Sequence, residues 1–162
     1  MKSGVFQLRS ASDLLRKLRV DFEQLKKVPT DTYAAFNFFV TAEHMLEWLY
    51  PGQTNGETRN RIKASSLLLQ VCSHLANGAK HFQVEDKRHK YVAATSQTGG
   101  YWANSYWASG YWAPGYWSKG GVLLVELQDN AAKDLGDLVT AVDLAERVLG
   151  FWESRPELSG TA

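Results

Sequence analysis

The 162-residue chain is short of several things that would narrow its class quickly, cysteine first: it has one, Cys72. A single thiol forms no intrachain disulfide and builds no cysteine-based zinc cage, so the core must hold by packing and a reducing compartment fits best. Proline is scarce, at four residues, and none falls inside the main apolar runs. No stretch supplies the roughly 18 uninterrupted apolar residues of a membrane-spanning helix. The first twenty residues carry Arg9, Asp13, Arg16, Lys17 and Arg19, which interrupt any signal-peptide core. We therefore expect a cytoplasmic protein. Excess charge is lacking too: 18 basic against 17 acidic residues leave +1. Bulk electrostatics thus point to no polyanionic partner. The distribution is less even, because residues 57–90 hold seven bases and three acids while 121–162 hold three bases and eight acids.

What is present is an apolar content of 44%, enough for the core of one domain. Leu14, Leu15, Leu18, Phe22 and Leu25 recur at three- and four-residue spacing behind Ser10 and Ser12, which predicts an amphipathic helix ending before Pro29. A second helix is expected from Thr30 or Asp31 to Leu49, apolar over much of its circumference and therefore central. Thr54 and Glu57 read as a capping box for a third, which Asn77 and Gly78 would stop in left-handed conformation. Tyr91–Thr95 and Val122–Leu127 have strand character and would pair as an antiparallel hairpin. The last helix is expected from Asp129 or Asn130 to Glu153. The expected fold is thus mainly α, a four-helix-bundle-like single domain over 1–162 with a small antiparallel β-hairpin. Residues 1–82 carry helices one to three, 83–128 the hairpin with an aromatic repeat at 101–120, and 129–162 the C-terminal helix and tail.

That repeat consists of four pentads, each opening on Tyr-Trp: Tyr101-Trp102, Tyr106-Trp107, Tyr111-Trp112 and Tyr116-Trp117. A period of five suits neither a helix face nor one side of a straight strand, and the small residues closing each pentad favour a turn every five residues. Such an array has several uses. Aromatic faces stack on unpaired bases, with Lys80, Lys87, Arg88, Lys90 and Lys119 as phosphate partners. Large rigid side chains also make protein interfaces, between copies of the chain or with another protein, and both residue types favour the membrane headgroup layer. The bland alternative is a Gly-rich loop packed on the helices. Among these we expect a homo-oligomer or protein partner, with RNA as the alternative ligand and a membrane disfavoured.

Asn77-Gly78-Ala79-Lys80-His81 follows the third helix. In the Asn-to-His spacing and the position after a long helix, this stretch resembles the motif of the HEPN superfamily, in which Arg and Asn precede His by a fixed interval. Those proteins are small helical bundles, often dimeric, and many are metal-independent ribonucleases of toxin, abortive-infection and other defence systems. The resemblance implies His81, Asn77 and Lys80 as catalytic candidates, with His81 moving a proton at the ribose hydroxyl or leaving oxygen and a cation steadying the charged transition state. Ala76 stands where the motif has Arg, and Lys80 offers a point charge without the guanidinium fork. The expectation that follows is a HEPN-like interaction or self-assembling protein of a defence, toxin or prophage setting, using the repeat as contact surface; the alternative is a ribonuclease or RNA-binding protein using His81 and the basic middle region. His44, His74, His81 and His89 match no familiar ligand spacing, so no metal or other cofactor is expected.

Overall fold

The structure is a computed structural model that describes residues 4, 6–80, 90–97 and 121–158. Helix α1 (Ala11–Lys27) opens on Ser10, whose hydroxyl accepts the Asp13 N–H at 3.2 Å while the Asp13 carboxylate accepts the Ser10 N–H at 2.9 Å. Two first-turn donors are satisfied reciprocally. The same carboxylate also accepts the Arg9 N–H, and that bond above all holds the Asp13 carboxyl below its usual range. Leu14, Leu15, Leu18, Phe22 and Leu25 are all buried, as their spacing requires.

Asp31 caps α2 (Thr32–Leu49) by accepting from the Tyr33 and Ala34 amides. Phe38, Ala42 and Met45 of this helix are almost wholly buried, so α2 is the central element the sequence suggested. It is tied to α1 by a polar triad: Lys17 Nζ lies 2.5 Å from Asp21 and donates to Thr41 Oγ1 at 2.7 Å, and Thr41 donates to Asp21 at 2.8 Å.

The expected third helix is two. A 3-10 turn at Gln53–Asn55 leads into α3 (Gly56–Ala64), and α4 (Leu67–Lys80) follows after a break at Ser65 and Ser66. Thr54 belongs to the turn, and no side chain caps α3. The break is made by the two hydroxyls: Ser65 Oγ donates to the Ile62 carbonyl at 2.8 Å, and Ser66 Oγ accepts the Leu69 N–H at 3.3 Å. One serine ends a helix and the next begins another. Nor do Asn77 and Gly78 stop α4, which continues to Lys80. Asn77 Nδ2 instead donates to the Ser73 carbonyl at 2.8 Å, one turn back.

Strand β1 (Val92–Gln97) pairs antiparallel with β2 (Leu123–Leu127), with a register shift between Val92 and Ala94. Beyond it the expected C-terminal helix is again interrupted, giving α5 (Asp129–Leu135), a third strand β3 (Leu138–Thr140) and α6 (Ala141–Glu153). Gly136 makes the interruption at φ 104° and ψ 147°, a conformation open to glycine and hostile to L side chains. The chain then pairs β3 with the second edge of β2, and Thr140 both ends that strand and caps α6 by accepting from Asp143 N–H at 3.1 Å. Burial of the Asp143 carboxyl raises its pKa.

The four-helix bundle with a two-stranded hairpin is therefore corrected to six α-helices and a three-stranded antiparallel sheet, in the order β1-β2-β3, among the described residues. Its aromatic cluster is corrected as well. Among the described residues the aromatic cluster of the core is built on phenylalanines, Phe22 with Phe38 at 6.1 Å and Phe38 with Phe39 at 5.3 Å, with Phe151 against Trp152 at 5.0 Å beside it; the repeat at 101–120 lies outside the described residues. The core itself is closed by Val142, Leu144, Ala145, Val148 and Trp152 of α6 against α1, α2 and the sheet.

Gly136→Ala tests the interruption. A Cβ there meets only Val139 Cγ1, at 3.7 Å, so space is available and the cost is conformational. We expect a loss of about 1–3 kcal/mol in urea unfolding. A change near zero would show that the backbone turns there without needing glycine.

Candidate binding groove and strand edge

Beside β1 the described residues cover the sheet incompletely. A groove of about 620 Å³ runs between it and the facing helices, walled by Phe36 and Phe39 of α2 and by His74 and Leu75 of α4, with Thr95 and Gln97 among its lining residues. Register explains why it opens here. Thr95 pairs with Val125 and Gln97 with Leu123, so these β1 side chains share the sheet face that β2 turns to the core. Under β2 that face is covered, and Val125 is buried. Under β1 it is open among the described residues, and every residue from Ala93 to Gln97 is exposed.

The groove wall is mixed in character. Phe36 is 43% exposed, a large apolar ring offered to solvent at the groove. His74 Nδ1 accepts the Val92 N–H at 3.3 Å, which fixes the ring against the start of β1 and places the ring proton of the neutral form on Nε2. The lining is otherwise small or apolar, suited to extended backbone with apolar side chains and poorly suited to an anion.

The backbone of β1 is the second part of the site. Leu127 N–H donates to Asp137 O at 2.8 Å, toward the β3 side, whereas Gln128 N–H donates to Tyr91 O at 3.0 Å, toward β1. Alternation from there puts the main-chain groups of Glu126 and Leu124 toward β1, where they face Ala94 and Ser96. The N–H and C=O groups of Thr95 and Gln97 consequently point the other way, out of the sheet. No described residue pairs with them.

A separate polar cluster joins α2, α3 and α4. Glu43 Oε1 lies 2.5 Å from Lys63 Nζ and accepts the Ser73 hydroxyl at 3.0 Å, and Ser73 in turn is approached by Asn77 Nδ2 at 3.4 Å. Ser73 is buried, so this arrangement fastens three helices and does not present a nucleophile. Cys72 is fully buried beside it, with Sγ donating to the Phe39 carbonyl at 3.7 Å. Burial pushes its thiol well above the ordinary range, the nearby Glu43 charge adds to that, and Lys63 opposes it. At the chain's end Tyr50 donates to Glu157 at 2.5 Å and Arg155 reaches both. The Tyr50 bond is the main reason the Glu157 carboxyl sits below its usual range.

Of the residues singled out from sequence, Asn77 is half-buried on α4 and engaged with Ser73, and Lys80 closes the same helix. Ala76, at the position of the motif Arg, is 1% exposed. Lys90 is exposed, 5.3 Å from the centre of the Tyr91 ring. His81, Lys87, Arg88, Lys119 and the eight aromatics Tyr101, Trp102, Tyr106, Trp107, Tyr111, Trp112, Tyr116 and Trp117 lie outside the described residues. Sequence reasoning missed Glu43, Lys63 and Ser73, although a carboxylate in the apolar run of α2 is itself a sign that a cation must approach. It also missed Phe36 and His74 as groove residues. Comparison of the chain with protein-family models, with curated proteins and with solved structures finds no match.

Proposed function

We propose that this is an interaction protein that works by self-association, with the Tyr-Trp repeat as a contact segment, and that it resembles the HEPN superfamily in setting more than in catalysis. The observation that carries the reading is the outward-facing backbone of Thr95 and Gln97 beside an apolar groove. An exposed, uncharged strand edge is a template for another chain, and natural proteins usually blunt one with charge or proline. Here Val92–Gln97 contains neither. In sequence the edge leads, after Thr98-Gly99-Gly100, into the first Tyr-Trp pentad, so the two candidate contact segments are neighbours. The nuclease reading draws less support: Ala76 is buried and the Asn77 amide is engaged with its own helix, so neither position offers a donor to a phosphate.

Light scattering on the purified chain tests this across a concentration series. Wild type is expected to exceed the monomer mass, Trp107→Ala to associate about tenfold more weakly if each aromatic contributes on the order of 1–2 kcal/mol, and a variant with all four pentad tryptophans replaced by alanine to be monomeric. A wild type that stays monomeric throughout overturns the proposal. So does RNA cleavage by wild type that disappears in His81→Ala, which would make the chain a ribonuclease.

A further inference from the structure

We infer that β1 pairs antiparallel with β1 of a second copy across a two-fold axis, joining the two three-stranded sheets into one of six strands. This rests on the self-association reading and names the surface that sets its geometry. Strand β1 has one ladder, to β2; at its start the Val92 N–H is taken by His74, and from Thr95 to Gln97 its outer edge is open among the described residues.

The occupant follows from what the edge offers. Val92–Gln97 reads Val-Ala-Ala-Thr-Ser-Gln, with no charge to repel an identical strand, no proline to remove a donor and small side chains at Ala93, Ala94 and Ser96. Two-fold antiparallel pairing requires residues with outward backbone groups to meet residues of the same kind. An axis at Ser96, which sets Thr95 against Gln97 on both sides, meets that condition, and an axis at Thr95, which sets Thr95 against Thr95, meets it at the centre. Thr-Thr and Thr-Gln neighbours across a ladder are compatible pairs. The +1 charge of the whole chain sets up little repulsion between copies. A closed two-fold contact of this kind satisfies both edges at once and leaves no open end for further growth along that side. The grooves of the two copies come to lie on the same face of the joined sheet, next to the new seam.

Alternation supplies a discriminating pair of variants. The Thr95 N–H points outward, so Thr95→Pro deletes a donor from the proposed seam while leaving the β1–β2 ladder intact. The Ser96 N–H points to Leu124, so Ser96→Pro deletes a ladder donor and is expected to lower the melting temperature. Thr95→Pro is expected to keep the wild-type melt at low concentration and to weaken association at least tenfold.

Hydrogen exchange resolved by residue gives the second reading, on unmodified protein. Ala94 and Ser96 amides are expected to be protected at every concentration, and Thr95 and Gln97 amides to gain protection only as the dimer forms. Oligomers whose Thr95 and Gln97 amides exchange freely would overturn the seam while leaving self-association standing. Protection of those two amides in the monomer would overturn it too, by showing that the chain covers its own edge. A protein monomeric at all concentrations removes both readings together.

Discussion

Phe38→Ala is expected to cost about 3–5 kcal/mol of folding stability, more than any other single substitution considered for this chain. The ring is fully buried at the middle of α2 and meets Phe22 of α1 at 6.1 Å and Phe39 edge-on at 5.3 Å. Alanine removes the apolar surface of a whole ring and leaves a void that α1 and α2 cannot close, because the Lys17-Asp21-Thr41 triad holds the two helices together. Against a typical total of about 5–15 kcal/mol the loss leaves a marginal protein. Urea unfolding should show a large fall in midpoint with little change in slope. Phe36→Ala is the matched control: at 43% exposure its ring borders the groove, and its loss should cost under about 1 kcal/mol. Equal costs at the two positions would mean that the groove wall is part of the core.

That contrast also marks what sequence periodicity can see. The stripe of α1 and the density of apolar residues in α2 reflect burial directly, and the capping side chains Ser10 and Asp31 sit where first-turn donors need them. The failures share one cause, which is that spacing survives a change of element. Ala64, Leu67, Leu68 and Val71 keep helical intervals across the Ser65-Ser66 break, and Leu135, Leu138, Val139 and Val142 keep them across Gly136. In both places the decision belongs to tertiary structure: hydroxyls bond to local backbone in one, and an unpaired edge of β2 captures β3 in the other. The groove was less legible still. Phe36, His74 and Thr95 are unremarkable one by one, and only the pairing of β1 with β2 places them around one cavity. Which amides of β1 face outward depends on the bulge near Ala93, a register detail that composition does not carry.

The Glu43-Lys63-Ser73 cluster carries the second large effect, and its two charged members should not be equivalent. The Glu43 side chain is 16% exposed and that of Lys63 32%, so Lys63 has a route to water that Glu43 lacks. Lys63→Met leaves the carboxylate largely buried with only the Ser73 hydroxyl to satisfy it, and about 2–3 kcal/mol should be lost. Glu43→Gln leaves an ammonium that can turn outward and an amide oxygen still able to accept from Ser73, so about 1–2 kcal/mol is expected. In the double variant no unpaired charge remains, and it should be more stable than Lys63→Met alone, which requires a coupling larger than the Glu43→Gln loss, about 2 kcal/mol or more, in a double-mutant cycle at neutral pH. The asymmetry is the informative part. Additive losses would mean that the two charges act independently and that α3 is held against α2 by packing alone. A recovery in the double variant would assign the cluster to helix docking, with α3 tethered through Lys63 to the carboxylate that α2 and α4 already share.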